Sequence, residues 1–366
     1  MSLSSQAAAA AGPSVGPAPQ NVVIVDDSAV ARAVLARVIN ACPGFQVTGA
    51  VPTAAQALRF LAANRADFIL LDIQMPGVDG ITALPDLAAA APHAKIIVVS
   101  SMVAAGVQAL ALGAADTLTK PAPGEVSAPF AKALTDSLLR LSTAAGASAA
   151  ISIDAPTLPV RAATAGRPSP RPGGDEFDLV GIGASTGGIH ALSGLLREIP
   201  GSFRLPILVT QHLPASFMPY FAAQLAVLAG RPCDVATDRL RIRPGRLIVA
   251  PGDAHMTCMA LPDGGAAIKL SHEPAANGCL PSVDPMLASI AQVFGTRALA
   301  VVLSGMGRDG AEGARRVHEA GGCVVVQDQS SSAVWGMPGS VAAQGIADAI
   351  LPPDAIGRLA AARRRP

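Results

Sequence analysis

The sequence has no apolar run approaching the ~18 residues that a membrane-spanning helix needs, and alanine supplies much of its apolar content. Membrane insertion is not expected. Dense basic charge is also missing: the formal net charge is +1, and the one basic run is Arg363-Arg364-Arg365. That excludes nucleic acid as the main partner and leaves the run as a solvated tail. The five cysteines (Cys42, Cys233, Cys258, Cys279, Cys323) are scattered, odd in number and without a Cys-x-x-Cys pair. They imply neither a disulfide framework nor a zinc site. The six histidines show no metal-ligand spacing, and His272-Glu273 lacks the second histidine of a zincin helix. Residues 1–20 lack the positive segment of a signal peptide and are interrupted by Gly12, Pro13 and Pro17, so they read as a disordered tail. These absences leave a reduced cytoplasmic protein as the expectation.

What is present suggests two domains, since 366 residues exceed a single domain of ordinary size. From Asn21 onward, apolar strand-like runs alternate with helical periodicity. Strands are expected at 22–25, 45–51, 68–71, 96–99 and 116–118. Helices are expected at 29–40 (with Ser28 as N-cap), 53–63, 81–90 (kinked at Pro85), 103–112 and 125–141. That alternation predicts an α/β fold, a five-stranded doubly wound parallel sheet over 21–141. Residues 142–174, rich in Ala, Pro, Ser and Gly, read as a flexible linker. A second alternation over 175–366 predicts another α/β domain with a mostly parallel sheet and an Asp263-Gly264 hairpin turn.

Polar residues gather at the strand ends where such sheets place function. In the first domain these are Asp26, Asp27, Asp72, Ser100 and Lys120. Three carboxylates on neighbouring loops repel unless a hard cation joins them, and an all-oxygen set suits Mg²⁺. A lysine and a hydroxyl at the same edge complement a phosphoryl group carried on one aspartate. The motifs Val25-Asp-Asp-Ser28, Leu71-Asp-Ile-Gln-Met-Pro-Gly-Val-Asp-Gly80, Val99-Ser-Ser101 and Thr119-Lys-Pro121 resemble the receiver domain of response regulators. The resemblance implies phosphorylation at Asp72, Mg²⁺ held by Asp26, Asp27 and Asp72, phosphoryl sensing by Ser100 and Lys120, and a cis Lys120–Pro121 bond. Two departures stand out: Thr117 occupies the usual aromatic switch position, and the 103–112 helix is about one turn short.

In the second domain, Gly181–Gly188 reads as strand, glycine-rich turn and helix start. The turn could cradle a dinucleotide pyrophosphate or present Ser185 as a nucleophile. The dinucleotide fingerprint wants glycine where Thr186 stands and an acid about 20 residues on, and both are missing. His212 and Asp309 follow two later apolar strands, so parallel neighbouring strands bring serine, base and orienter to one edge. His190 is a rival base, ranked lower because it lies in the first turn of the helix.

Gly183-Ala-Ser-Thr-Gly-Gly188, Gln211-His-Leu-Pro214 and Gly305-Met-Gly-Arg-Asp-Gly310, behind a receiver, resemble the chemotaxis protein-glutamate methylesterase family. Val249-Ala-Pro-Gly252, Pro281-Ser-Val-Asp284 and Trp335-Gly-Met-Pro338 extend the likeness. It implies hydrolysis of glutamate γ-methyl esters on methyl-accepting chemoreceptors, slower deamidation of receptor glutamines, and control by a chemotaxis histidine kinase. Ser185, His212 and Asp309 are then catalytic without a cofactor, with the Thr186 and Met306 amides as the oxyanion hole. The alternative is a non-enzymatic response regulator whose second domain binds a partner.

Overall fold

The computed structural model describes residues 18–120, 128–150 and 177–366, without the side chains of 143–150. Most of the expected tail, the Lys120–Pro121 bond and the linker beyond residue 150 lie outside the described residues.

The first domain runs β1 (Gln20–Val25), α1 (Ala29–Asn40), β2 (Phe45–Val51), α2 (Ala54–Leu61), β3 (Phe68–Asp72), α3 (Gly80–Ala90), β4 (Lys95–Ser100), α4 (Val103–Ala111), β5 (Asp116–Thr119) and α5 (Ala128–Ala150). Its five strands pair in parallel in the order β2-β1-β3-β4-β5. The apolar runs explain the order: β1 from Val22, β3 throughout and β4 from Ile96 are buried and central, whereas β2 alternates buried or half-buried with exposed residues at one edge. The Ser28 hydroxyl accepts from the Ala31 amide at 3.2 Å, as the expected N-cap should. Helix α3 passes through Pro85 as a single element. Helix α5 continues nine residues into the stretch expected as linker, where alanine supports helix more strongly than the neighbouring Pro-rich composition suggests.

The second domain contains β6 (Leu179–Ala184), α6 (Gly188–Arg197), β7 (Ile207–Gln211), α7 (Met218–Ala229), β8 (Cys233–Val235), β9 (Leu247–Val249), β10 (His255–Ala260), β11 (Ala266–Ser271), α8 (Val283–Phe294), β12 (Ala298–Val302), α9 (Ala311–Glu319), β13 (Cys323–Gln327), α10 (Gly336–Ala342), β14 (Ala349–Leu351) and α11 (Pro353–Ala362). Seven strands form a parallel sheet in the order β14-β13-β12-β6-β7-β9-β8, and β10-β11 is an antiparallel hairpin turning at Asp263-Gly264. Strands β6, β7, β12 and β13 are buried throughout, which places β12, β6 and β7 side by side at the centre.

Strand β14 and helix α11 complete the alternation expected over 175–366, and the segment after them departs from expectation. The basic run after α11 is not a solvated tail: the Arg363 guanidinium donates to the Phe177 carbonyl at 3.1 Å, and Arg365 donates to the Thr296 and Gly321 carbonyls at 2.8 and 2.7 Å. Guanidinium donors bind loop carbonyls without leaving any hydropathy signal.

The receiver lies against the second domain through α4, which packs on α6 and α7. The Lys95 ammonium donates to the Ala333 carbonyl at 3.0 Å, and His190 Nδ1 donates to the Ala111 carbonyl at 3.2 Å.

Candidate active site and phosphorylation site

Parallel pairing of β12, β6 and β7 puts their C-terminal ends at one edge, and each end carries one of the three expected residues. Ser185 follows β6 in a tight turn. Gly187 has φ +74, and a Cβ there would run into Ala333, so the turn requires glycine. His212 follows β7; its Nδ1 lies 3.1 Å from Ser185 Oγ and its Nε2 lies 2.7 Å from Asp309 Oδ2. A carboxylate can only accept, so Nε2 carries the ring proton and Nδ1 faces the serine with its lone pair. The nitrogens are used in the order opposite to the serine-protease arrangement, in which Nε2 faces the serine. His190 is not near Ser185 in this network; its ring turns to the receiver.

Asp309 is 2% exposed and accepts six hydrogen bonds: from His212, Asn277, Ser282 and the amides of Val283, Asp284 and Gly310. Burial is the largest single influence and raises its pKa, but the His212 bond, the Val283 amide, the His212 charge and the Ser282 hydroxyl together outweigh it and hold it down at about 2. The Pro281-Ser-Val-Asp284 motif thus wraps the carboxylate. His255 supports that loop: its Nδ1 accepts from the Ser282 amide at 2.9 Å while Nε2 donates to the Glu273 carbonyl at 2.9 Å. Ser282 belongs to the Pro281-Ser-Val-Asp284 motif, whereas Asn277 and His255 carry no motif signal in the sequence.

The turn is tied on both sides. Gln211 Nε2 donates to the Ser185 carbonyl at 2.9 Å, and the buried Ser304 hydroxyl donates to the Thr186 carbonyl at 2.8 Å. Gly305 lies so close to Ser185 and Met337 that a Cβ would overlap both. No acceptor among the described residues takes the Thr186 or Met306 amide. Thr186 follows Ser185 two residues ahead of the start of α6, and Met306 lines the same cavity as Ser185.

The receiver forms one wall of this site. Leu110, Ala114, Ala115 and Asp116 from the α4–β5 corner, with Arg140 of α5, share a cavity with Ser185, His212 and Met306. Arg140 and the Ser137 hydroxyl both bond Asp116.

At the receiver's own strand ends, Asp26 and Asp72 are buried and Asp27 exposed, and their carboxylate oxygens lie within 4.8 Å of one another. The donor set is all oxygen, which fits Mg²⁺. Lys120 Nζ donates to Asp26 at 2.8 Å and to Asp72 at 2.5 Å. Burial pushes the Asp72 carboxyl above its usual range, more than Lys120 pulls it down. Burial works against the Lys120 charge, yet its two carboxylate partners raise its pKa on balance. The Ser100 hydroxyl accepts from the Met102 amide at 3.0 Å, within a loop that ends at α4. Thr117 lies directly beneath α4: a Cβ on Gly106 would come within 2.7 Å of its hydroxyl.

A receiver joined to an α/β domain bearing a Ser-His-Asp constellation defines a response regulator with a hydrolase-like output domain. Comparison with known proteins narrows this. The response regulator receiver family matches residues 22–127, and the CheB methylesterase family matches residues 180–359. The chain is 38% identical to the protein-glutamate methylesterase/protein-glutamine glutaminase of group 2 operon of Rhodospirillum centenum, over 94% of each chain. It is 39% identical to protein-glutamate methylesterase/protein-glutamine glutaminase 2 of Caulobacter vibrioides, covering 94% of this chain and 99% of that one. The CheB methylesterase catalytic domain of Thermotoga maritima is 35% identical, with 50% of this chain and 95% of that one covered and a TM-score of 0.48. The chain belongs to the protein-glutamate methylesterase family. Among the described residues, no helix is long and apolar enough to cross a membrane.

Proposed function

We propose that the chain is a cytoplasmic protein-glutamate methylesterase/protein-glutamine glutaminase that demethylates chemoreceptor glutamates under control of phosphorylation at Asp72. The observation that carries this reading is the hydrogen-bonded chain Ser185–His212–Asp309 across three neighbouring strand ends. Ser185 Oγ attacks the ester carbonyl as His212 Nδ1 takes its proton, and Asp309 holds the Nε2 proton and stabilises the imidazolium. The Thr186 and Met306 amides receive the developing oxyanion. His212 returns the proton to the departing methanol, and then activates the water that frees the carboxylate. A glutamine side chain follows the same route with ammonia leaving, more slowly because an amide carbonyl is less electrophilic.

Asp26, Asp27 and Asp72 would hold Mg²⁺, which would supply positive charge to offset their carboxylates and a phosphoryl group on Asp72. Asp72 accepts phosphate from the chemotaxis histidine kinase, and Lys120 and Ser100 contact the phosphoryl group. In the unphosphorylated arrangement the α4–β5 corner restricts the approach of a helical substrate to Ser185. Phosphorylation shifts the population towards an uncovered site.

The test is methanol release from methylated receptor membranes, with and without a small-molecule phosphodonor and Mg²⁺. Ser185→Ala should lower the rate on the order of a thousandfold or more, and phosphodonor should stimulate the unaltered enzyme. Retention of release by the alanine variant would overturn Ser185 as the nucleophile, and no release from the unaltered chain would mean that the second domain is a binding module.

A further inference from the structure

Cys279 enters none of the chemistry above, yet it lies beside that chemistry. Its thiol and one ligand atom each from His212 and Asp309 fall within 4.8 Å of one another, with Cys279 and His212 half-buried and Asp309 buried. From this geometry we infer that His212, Cys279 and Asp309 form a binding site for a soft divalent ion such as Zn²⁺.

Imidazole nitrogen, thiolate sulfur and carboxylate oxygen are the donors zinc selects. Bonds of about 2.0–2.3 Å in a tetrahedron span donors roughly 3.3–3.8 Å apart, so side-chain shifts of about an ångström close the site. The framework for such shifts is already fixed. The Cys279 amide donates to Asn277 Oδ1 at 3.0 Å, and Asn277 Nδ2 donates to Asp309 Oδ1 at 2.7 Å, so one asparagine links the thiol's loop to the carboxylate. Asp309 is a carboxylate throughout the physiological range and brings no competing proton. Burial, then the Asp309 and Asp284 charges, push the Cys279 thiol up, so it stays protonated until a cation replaces the proton. Among the described residues only one other such cluster occurs, Asp26, Asp27 and Asp72. Its all-oxygen donors suit a hard ion, so the two sites divide by softness.

Binding removes the thiol proton to solvent and places the ion on His212 Nε2. The ring proton then moves through solvent to Nδ1, so that one proton is released per ion. With Nδ1 protonated and pointing at Ser185, His212 cannot act as base, and the ion inhibits. The inhibition rests on the catalytic reading above, whereas the site itself does not.

Co²⁺ is the probe, titrated into the full chain with excess Mg²⁺ present to saturate the oxygen cluster. A near-ultraviolet thiolate-to-Co²⁺ band saturating at one equivalent and bleached by Zn²⁺ is expected, and Cys279→Ala and Cys279→Ser should lack it. Trp335 fluorescence verifies that both variants are folded. In methanol release, each protein referred to its own rate in EDTA followed by Mg²⁺, the half-inhibiting Zn²⁺ concentration should rise at least about tenfold on losing Cys279. No band, or a band that survives both substitutions, overturns the site. A Cys279-dependent band without inhibition leaves the site standing and overturns His212 as the base.

Discussion

Asp72 ends central strand β3, Asp309 lies in the loop that follows central strand β12, and both are at most 3% exposed. Their surroundings push them in opposite directions. Asp309 receives six hydrogen bonds and is held well below the ordinary carboxylate range. Asp72 receives two, from Lys120 and the Gln74 amide, and burial wins. A carboxylate held by that many donors is a fixed negative charge, suited to orienting a histidine. An under-bonded one is short of positive charge, suited to a hard cation or a phosphoryl group. Hydrogen-bond count, more than burial, separates the two carboxylates.

The comparison breaks most severely at Asp309. Asp309→Asn leaves the shape but returns the ring proton of His212 to the wrong nitrogen, and demethylation should fall on the order of 10⁴-fold. A fall of tenfold or less in steady-state methanol release would show that the six bonds serve structure alone.

A smaller effect separates the two sites by pH. The folded pKa of Asp309, about 2, lies below the ordinary value near 3.9. Its ionisation therefore contributes stability present above about pH 4 and lost as pH falls through 2, amounting to about 2 kcal/mol. Unfolding followed through Trp335, the single tryptophan, reports on this domain alone. The stability gap between the native sequence and Asp309→Asn should shrink steadily from pH 5 to pH 2.5. Referring each pH to the variant removes most of the opposing drift from Asp284, whose carboxyl burial pushes up.

The smallest effect should have the opposite sign. Because the folded pKa of Asp72 is raised, its ionisation costs stability at neutral pH. Asp72→Asn should leave the receiver as stable or more stable, by less than about 1 kcal/mol, in urea unfolding followed by circular dichroism. A clear loss would mean that the Lys120 pair outweighs burial.

These two aspartates also show what the sequence made legible. Both were identified as strand-end residues, because β3 and β12 are unbroken apolar runs and polarity switches where they stop. The meeting of Ser185, His212 and Asp309 needed only that β12, β6 and β7 be neighbours. Their surroundings were far less legible. Asn277 and His255 act through side-chain bonds made from a loop and a hairpin, and such bonds have no period. Cys279, one of five scattered cysteines, acquires its neighbours only through the fold of the loop before α8. Arg363 and Arg365 cap carbonyls far away in sequence, which composition reads as exposed charge.

The α4–β5 corner beside Ser185 has a kinetic corollary. A surface that shares the substrate's site and travels on the same chain is a tethered competitor, and its strength is an effective concentration rather than a dissociation constant. Such a competitor is displaced by mass action. On the proposed function, regulation should therefore appear mainly in KM, and a high local concentration of substrate should overcome it.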